Sequence, residues 1–218
     1  MSNHERVSRR TVLGQATAGF GAAILAGQAR GEQKAGIAPG RLRQSVCTWC
    51  YASSMSLDEL CRHAARIGYQ AVDLVAPDGW STLRKHGLLS SMVPGGGSIE
   101  RGFNRREHHE ELVAKLRQII DQVADAGFEN VICFSGNRQE QPDEEGIRSC
   151  VDGLKQVVGH AERRKVNICM EYLNSKVDHV DYQFDNMAFG VAVARQIGSP
   201  RFGLLYDIYH AQIMEGRS

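Results

Sequence analysis

The chain has 218 residues, a length that suffices for one sizeable hydrophobic core and favours a single domain. Its 26 basic and 25 acidic side chains give a formal net charge of +1, and no basic run beyond the N-terminal segment could supply the phosphate contacts that nucleic-acid binding requires. No apolar stretch beyond that segment is long enough to span a bilayer, so nucleic-acid binding and a membrane-spanning mature form are both excluded.

Residues 1–29 predict a secretion signal of the twin-arginine type. An Arg-Arg pair at 9–10 is followed by a weakly apolar segment and by small residues that suit cleavage after Ala29. Export in the folded state would deliver the mature protein to the periplasm, whereas an unused signal would leave it in the cytoplasm. Residues 30–43 read as a linker, which leaves 44–218 for the folded domain.

The first half of the domain alternates predicted strands with predicted helices. Ser56 and Glu59 form a capping box, in which the hydroxyl and the carboxylate satisfy the opening amides of a helix that ends at Gly68. A longer helix is predicted over residues 107–126 from its apolar spacing. The Gly-rich segment 94–98 lacks the GK[ST] of a phosphate loop and is interpreted as a flexible loop on the substrate side. The predicted strands are 44–50, 71–75, 88–93 and 131–134, with a short helix over 78–86.

The second half of the domain continues this alternation. Pro142 and the three acids after it open a long helix, since acidic residues are favourable near a helix N-terminus. The apolar strand that follows ends on Glu171. After a helix over 186–197, a sixth strand ends on Asp207.

The six cysteines do not form a disulfide pattern. Four of them fall within apolar strands or on apolar helix faces, as buried thiols do: Cys61, Cys133, Cys150 and Cys169. Cys47 and Cys50 have the spacing of a redox or zinc pair, but no second pair accompanies them. We interpret these two as strand-end or core structure, with a small disulfide loop as the alternative in an oxidising compartment.

Strands and helices that alternate about every 25 to 40 residues are typical of parallel βα units. An open doubly wound sheet and a (β/α)8 barrel both fit. The dinucleotide fingerprint of one common open fold is absent, and acids at the ends of separate strands favour the barrel, whose active sites lie on that face. A barrel takes about 250 residues and eight strands, whereas 218 minus 29 leaves 189 residues and six strand candidates. We therefore predict a (β/α)8 TIM barrel with about six of its eight units, incomplete at the C-terminus.

Long runs of sequence resemble a known family. They are MEYLNSK at 170–176 and LLYDIYHAQIMEG at 204–216, with further agreement at 132–138 and 68–88. In these segments the chain resembles the hydroxypyruvate isomerases of the sugar isomerase/epimerase family, which are TIM barrels of the xylose-isomerase-like type. The resemblance covers roughly residues 44–218. It implies one divalent metal ion, held at the ends of strands five to eight by a Glu, an Asp, a His or Gln, and a second Glu.

The resemblance also assigns residues of this chain. Glu171 matches the first metal ligand, which is also catalytic, and Asp207 matches the second ligand. His210 matches a residue that contacts substrate oxygens, and Asn174 either reaches the substrate or positions the loop after strand five. The remaining two ligands and the second catalytic Glu would belong to strands beyond these six. Oxygen ligands favour Mn²⁺ or Mg²⁺, and Zn²⁺ or Co²⁺ also fit.

The implied activity is isomerisation or epimerisation of a small hydroxy-carbonyl compound or sugar. This chemistry moves a proton next to a carbonyl, so it requires a carboxylate as acid and base and a metal that stabilises the enediolate by several kcal/mol. Taken alone, Glu171 could be an ordinary strand-end acid; its pairing with Asp207 one unit later favours ligation.

Several residues are candidates by type alone. Asp178 and His179 resemble a ligand pair, but we interpret them as part of a solvated loop. Trp49 and Trp80 could wall a sugar pocket, although such aromatic residues more often pack in the core. Ser135 has no adjacent base, which argues against nucleophilic catalysis.

Two other functions compete with the isomerase. A non-catalytic sugar- or metal-binding domain would have unpaired strand edges, which favour association into a homo-oligomer. A metal-dependent phosphoesterase on the same barrel would call for more histidine ligands and a basic groove, and neither is evident.

Overall fold

The computed structural model describes residues 42–216, so the predicted signal sequence and most of the predicted linker lie outside the described residues. Within 42–216, six strands alternate with six α-helices, which confirms the predicted βα units. The strands are β1 (Ser45–Cys47), β2 (Ala71–Asp73), β3 (Val93–Pro94), β4 (Asn130–Cys133), β5 (Asn167–Glu171) and β6 (Phe202–Leu205). The helices are α1 (Leu57–Ile67), α2 (Trp80–Lys85), α3 (His109–Ala126), α4 (Asp143–Arg164), α5 (Met187–Ile197) and α6 (Ile208–Glu215).

Each strand lies parallel to the next strand along the chain. β1 pairs with β2, and β3 to β6 form a sheet in sequence order. The segment just before β3 continues this order to β2, because Ala71 bridges Leu89 and the Leu74 amide donates to the Met92 carbonyl at 2.9 Å. An open doubly wound sheet reverses its strand order at a switch point. The uninterrupted order is that of a barrel, as predicted.

The third strand is shorter than predicted. The sequence predicts a strand over 88–93, whereas β3 is limited to Val93–Pro94. The reason is a tertiary contact: the Asp73 carboxylate accepts from the backbone amides of Ser91 at 2.6 Å and Met92 at 3.0 Å. These two amides donate to a side chain and therefore cannot donate to a neighbouring strand. The chain turns here and rejoins the sheet at Val93.

Local signals fix the helix ends. At the start of α1, the Glu59 amide donates to the Ser56 hydroxyl at 3.3 Å and the Ser56 amide donates to the Glu59 carboxylate at 3.0 Å, which confirms the capping box. Gly68 ends this helix with a φ of 101°, a left-handed conformation that glycine adopts without strain. Asp207 is the N-cap of α6, and its side chain accepts from the amides of Tyr209 and His210.

The core lies between the strands and the outer helices, where α3 packs on α4 and α4 packs on α5. Its fully buried side chains include Leu116 of α3, Val131 of β4, Leu154 of α4 and Ile168 of β5. The six cysteines are free thiols in this structure; Cys61, Cys133 and Cys150 are buried, Cys47 and Cys169 are partly buried and Cys50 is exposed. None of the helices in 42–216 combines the length and the apolar character that crossing a membrane would require.

Candidate active site

A cavity of about 940 Å³ opens at the carboxyl ends of the strands. All six strands are parallel, so these ends meet on one face of the barrel. Every strand contributes to the wall at or just beyond its end: Cys47, Leu74, Pro94, Phe134, Glu171 and Asp207. Apolar side chains form most of this wall, and the carboxylates of Glu171 and Asp207 lie among them.

Glu171 is the last residue of β5, and its side chain lines the cavity. Burial raises the pKa of this carboxyl to about 7, and the negative charge of Asp207 adds to the effect. The buried Tyr182 fixes the backbone here: its hydroxyl donates to the Glu171 carbonyl at 2.9 Å and accepts from the Ser135 amide at 3.0 Å. The end of β5 is thereby tied to the end of β4.

Asp207 follows β6, two residues beyond Leu205, which pairs with Glu171. Its Oδ1 accepts from the amides of Tyr209 at 2.7 Å and His210 at 3.3 Å, so one oxygen caps α6. The other oxygen, Oδ2, lies 3.9 Å from Nε2 of His210. The cap therefore holds Asp207 beside Glu171 and leaves a carboxylate oxygen for the cavity.

His210 lies in the first turns of α6, is 8% exposed, and lines the cavity. Its Nδ1 is 2.7 Å from the Asn174 side-chain nitrogen. Burial lowers the pKa of this imidazole; the Asp207 carboxylate opposes the shift, and the neighbouring His179 adds to it.

Asn174 is fully buried, and the cavity wall does not include it. Its Oδ1 accepts from the amides of Val177 and Asp178, each at 3.0 Å, and its Nδ2 donates to the Asp178 carboxylate at 2.7 Å and towards His210. The whole amide group is therefore used within the protein. Of the two roles left open by the sequence, this geometry fits the positioning role.

Three further residues line the cavity that the sequence did not assign to the site. The interpretation of Asp178 and His179 as a solvated loop is incomplete, since both line the cavity. The Tyr209 hydroxyl donates to the Asp178 carboxylate at 2.8 Å, and the His179 ring lies 5.3 Å from the His210 ring. Tyr209 could have been found from its place between Asp207 and His210. The other two are brought in by the turn at Asn174, which no local pattern reveals.

The two tryptophans have different places. Trp49 is 70% exposed and lines the cavity, whereas Trp80 is buried and its Nε1 donates to the Val75 carbonyl at 2.9 Å.

The Gly-rich segment 94–98 also lines the cavity, but a Cβ on Gly95 would lie 1.9 Å from the Ile132 carbonyl oxygen. This part of the predicted flexible loop is in fact packed closely against β4.

Residues 42–216 do not bring three His, Cys, Asp or Glu side chains together as a metal site. Glu171 and Asp207 provide carboxylate oxygens at the cavity, where burial and, to a smaller extent, the like charge of Asp207 raise the pKa of Glu171. A divalent cation between two carboxylates would relieve this repulsion, and hard oxygen donors suit Mg²⁺ or Mn²⁺. The donor set therefore fits part of a divalent metal site.

Known proteins share this fold and part of this sequence. A Mus musculus protein named "Putative hydroxypyruvate isomerase" is 22% identical over 199 residues, which cover 83% of this chain and 70% of that protein. Among solved structures, AP endonuclease, family 2 from Brucella melitensis superposes with a TM-score of 0.66 at 16% identity, over 80% of this chain and 72% of that chain.

Two other similar solved structures were determined with a metal ion or a sugar. The IolI protein with a bound zinc atom gives a TM-score of 0.66 at 16% identity, over 81% of this chain and 66% of that one. D-psicose 3-epimerase from Clostridium cellulolyticum H10, solved with D-tagatose, superposes with a TM-score of 0.65 at 14% identity, over 81% of this chain and 67% of that chain. At these identities the likeness establishes the fold. The sequence pattern of a protein family matches residues 59–218, and the chain belongs to that family, the xylose isomerase-like TIM barrels.

Proposed function

We propose that the protein is a metal-dependent isomerase or epimerase of a small hydroxy-carbonyl compound or sugar, which moves a proton through an enediolate. The observation that carries the proposal is the position of Glu171, a cavity carboxyl with a pKa of about 7 beside the carboxylate of Asp207. The family includes proteins named as isomerases and sugar epimerases, which supports this reaction class.

Glu171 would exchange the proton with carbon. A carboxyl whose pKa lies near the working pH both accepts and returns a proton efficiently, which a carboxyl at its ordinary pKa does less well. The tie to Tyr182 holds the end of β5 in place while the proton moves. His210 would bind a substrate oxygen, and apolar wall residues such as Ile132 and Phe134 keep water from the reacting carbons.

Glu171 and Asp207 would also hold the metal ion, Mn²⁺ or Mg²⁺, with Zn²⁺ and Co²⁺ as alternatives. The zinc atom in the IolI structure is consistent with a divalent ion in this family. When bound, such an ion polarises the carbonyl and stabilises the negative charge that develops as the proton leaves, worth several kcal/mol. The α6 amides hold Oδ1 of Asp207, so its other oxygen would be available as a metal ligand.

The test is deuterium exchange from solvent into the carbon next to the carbonyl. The full-length chain is incubated in D₂O with Mn²⁺ and either hydroxypyruvate or a ketose such as D-tagatose, and exchange and product are followed by NMR. We expect exchange with wild type and none with Glu171→Gln. Glu129→Gln is the matched control, because Glu129 is exposed at the amino end of β4, on the opposite face of the barrel. Undiminished exchange in Glu171→Gln would refute the mechanism.

A second candidate is a non-catalytic sugar- or metal-binding domain. It is favoured by one observation: residues 42–216 do not bring three His, Cys, Asp or Glu side chains together as a metal site. Calorimetric binding of Mn²⁺ or D-tagatose without any deuterium exchange would select this candidate. Light scattering of the same sample would test the proposed homo-oligomer.

We also propose export by the twin-arginine route, which rests on the sequence of residues 1–29. Replacing Arg9 and Arg10 by Lys should leave the protein in the cytoplasm of a host with this pathway, whereas the unaltered chain should reach the periplasm. Equal distribution of both forms on cell fractionation would refute the proposal.

A further inference from the structure

The orientation of the Asn174 amide is fixed by its neighbours. Two backbone amides, those of Val177 and Asp178, point at one atom of the side chain, each at 3.0 Å. Of the two polar atoms of an amide side chain, only the oxygen accepts hydrogen bonds, so this atom is Oδ1 and the other is Nδ2. A flipped amide would place an NH₂ group against two donors and is excluded.

Both hydrogens of the Asn174 NH₂ group have a partner. One is donated to the Asp178 carboxylate at 2.7 Å, and Asp178 is held in turn by the Tyr209 hydroxyl at 2.8 Å. The other points to Nδ1 of His210, also at 2.7 Å. Asn174 can only donate in this contact, so Nδ1 of His210 must accept and carries no proton.

The proton of the neutral ring therefore lies on Nε2. Among residues 42–216, this nitrogen has no partner at hydrogen-bond distance; the carboxylate of Asp207 is 3.9 Å away. His210 lines the cavity, so this free donor is available to a ligand there. The turn that fixes the Asn174 amide therefore leaves Nε2–H of His210 as the group that can donate to a ligand.

We propose that Asn174 is a positioning residue that holds neutral His210 as the Nε2–H tautomer, so that His210 offers the cavity a hydrogen-bond donor and not a base. It follows that His210 binds and polarises a ligand oxygen, and that proton exchange with carbon falls to Glu171. The inference rests on the proposed function only for the identity of the ligand, because the tautomer is a property of the free protein.

The tautomer can be read directly by NMR. Long-range ¹H–¹⁵N correlation spectra of the full chain at about pH 8, where an ordinary imidazole is neutral, distinguish protonated from unprotonated ring nitrogens. The His210 signals are assigned by their loss in His210→Gln. His109 is an internal reference, since its Nε2 faces the Phe103 carbonyl at 2.9 Å and must donate there. We expect the spectra of His210 and His109 to show the same tautomer.

A double variant reverses the contact without a change of net charge. In Asn174→Asp with Asp178→Asn, position 174 keeps an oxygen for the two backbone amides, and position 178 supplies the NH₂ group in the 174–178 hydrogen bond. Position 174 then presents an acceptor to His210, so the proton should move to Nδ1, while the His109 signals stay unchanged. With the Nε2 donor lost, deuterium exchange should fall roughly 10²-fold, the usual effect of removing one such donor.

The outcomes separate this inference from the proposed function. A wild-type spectrum with the proton on Nδ1 overturns the inference whatever the activity, and so does a folded double variant in which the tautomer is unchanged. If the double variant does not fold, the wild-type spectrum alone decides. An Nε2–H spectrum together with absence of deuterium exchange would refute the isomerase and leave the role of Asn174 standing.

Discussion

Replacing Glu171 by Gln should stabilise the metal-free protein at alkaline pH, and the gain should vanish in acid. The pKa of this carboxyl rises from 4.5 to about 7 on folding, because burial and the charge of Asp207 disfavour its ionised form. A raised carboxyl pKa means that its contribution to stability is complete below pH 4.5 and is lost as the pH rises through 7. Gln has no such titration.

The magnitude follows from the shift. A difference of about 2.5 pKa units at 1.36 kcal/mol per unit corresponds to up to ~3 kcal/mol. The free energy of unfolding of Glu171→Gln minus that of wild type should therefore grow by up to this amount between pH 4.5 and about pH 8. Urea denaturation followed by circular dichroism, with a chelator present, measures both values at each pH.

Urea denaturation of a control variant, and of both proteins with Mn²⁺, completes the test. Glu129→Gln, which replaces an exposed carboxyl on the opposite face of the barrel, is the control for a Glu-to-Gln substitution outside the cavity. With Mn²⁺ at about 100 times its Kd, wild type should gain about 2.7 kcal/mol and Glu171→Gln much less. A flat difference curve for Glu171→Gln would show that this carboxyl is not buried beside a like charge.

Three other perturbations test separate parts of the structure. Asp207→Asn preserves a good helix cap but removes the neighbouring charge, so the pKa of Glu171, measured by ¹³C NMR of its carboxyl, should fall towards its ordinary value. Ser56→Ala should lower the free energy of unfolding by about 1 kcal/mol in urea denaturation and leave deuterium exchange unchanged, since it removes only a cap. Gly95→Ala should cost about 1–3 kcal/mol in the same assay, because its Cβ would collide with the Ile132 carbonyl.

Features determined by neighbours along the chain could be predicted from the sequence. The capping box at Ser56, the helix stop at Gly68 and the strand-end places of Glu171 and Asp207 all follow from spacing and residue type within one element. The parallel order of the strands follows from the alternation of strands with helices. These parts of the fold and of the site agree with expectation.

Features determined by contacts across the fold could not be predicted. The shortened third strand depends on Asp73, whose carboxylate takes the amides of a segment that lies beside it only in the folded barrel. The choice between two roles for Asn174 depends on its contacts with Asp178 and His210. The residue types around Asn174 reveal neither the turn that buries it nor its contact with His210, so the sequence alone leaves both roles open.

The two tryptophans of the chain give it two separable optical signals. Trp49 stands in solvent at the wall of the cavity, so its emission should lie at long wavelength and respond to a ligand or to a quencher in the bulk. Trp80 is enclosed, with its indole edge against Phe128 at 5.1 Å and its N–H bonded, so its emission should lie at shorter wavelength and change only on unfolding. Binding and unfolding can therefore be followed independently in one unlabelled sample.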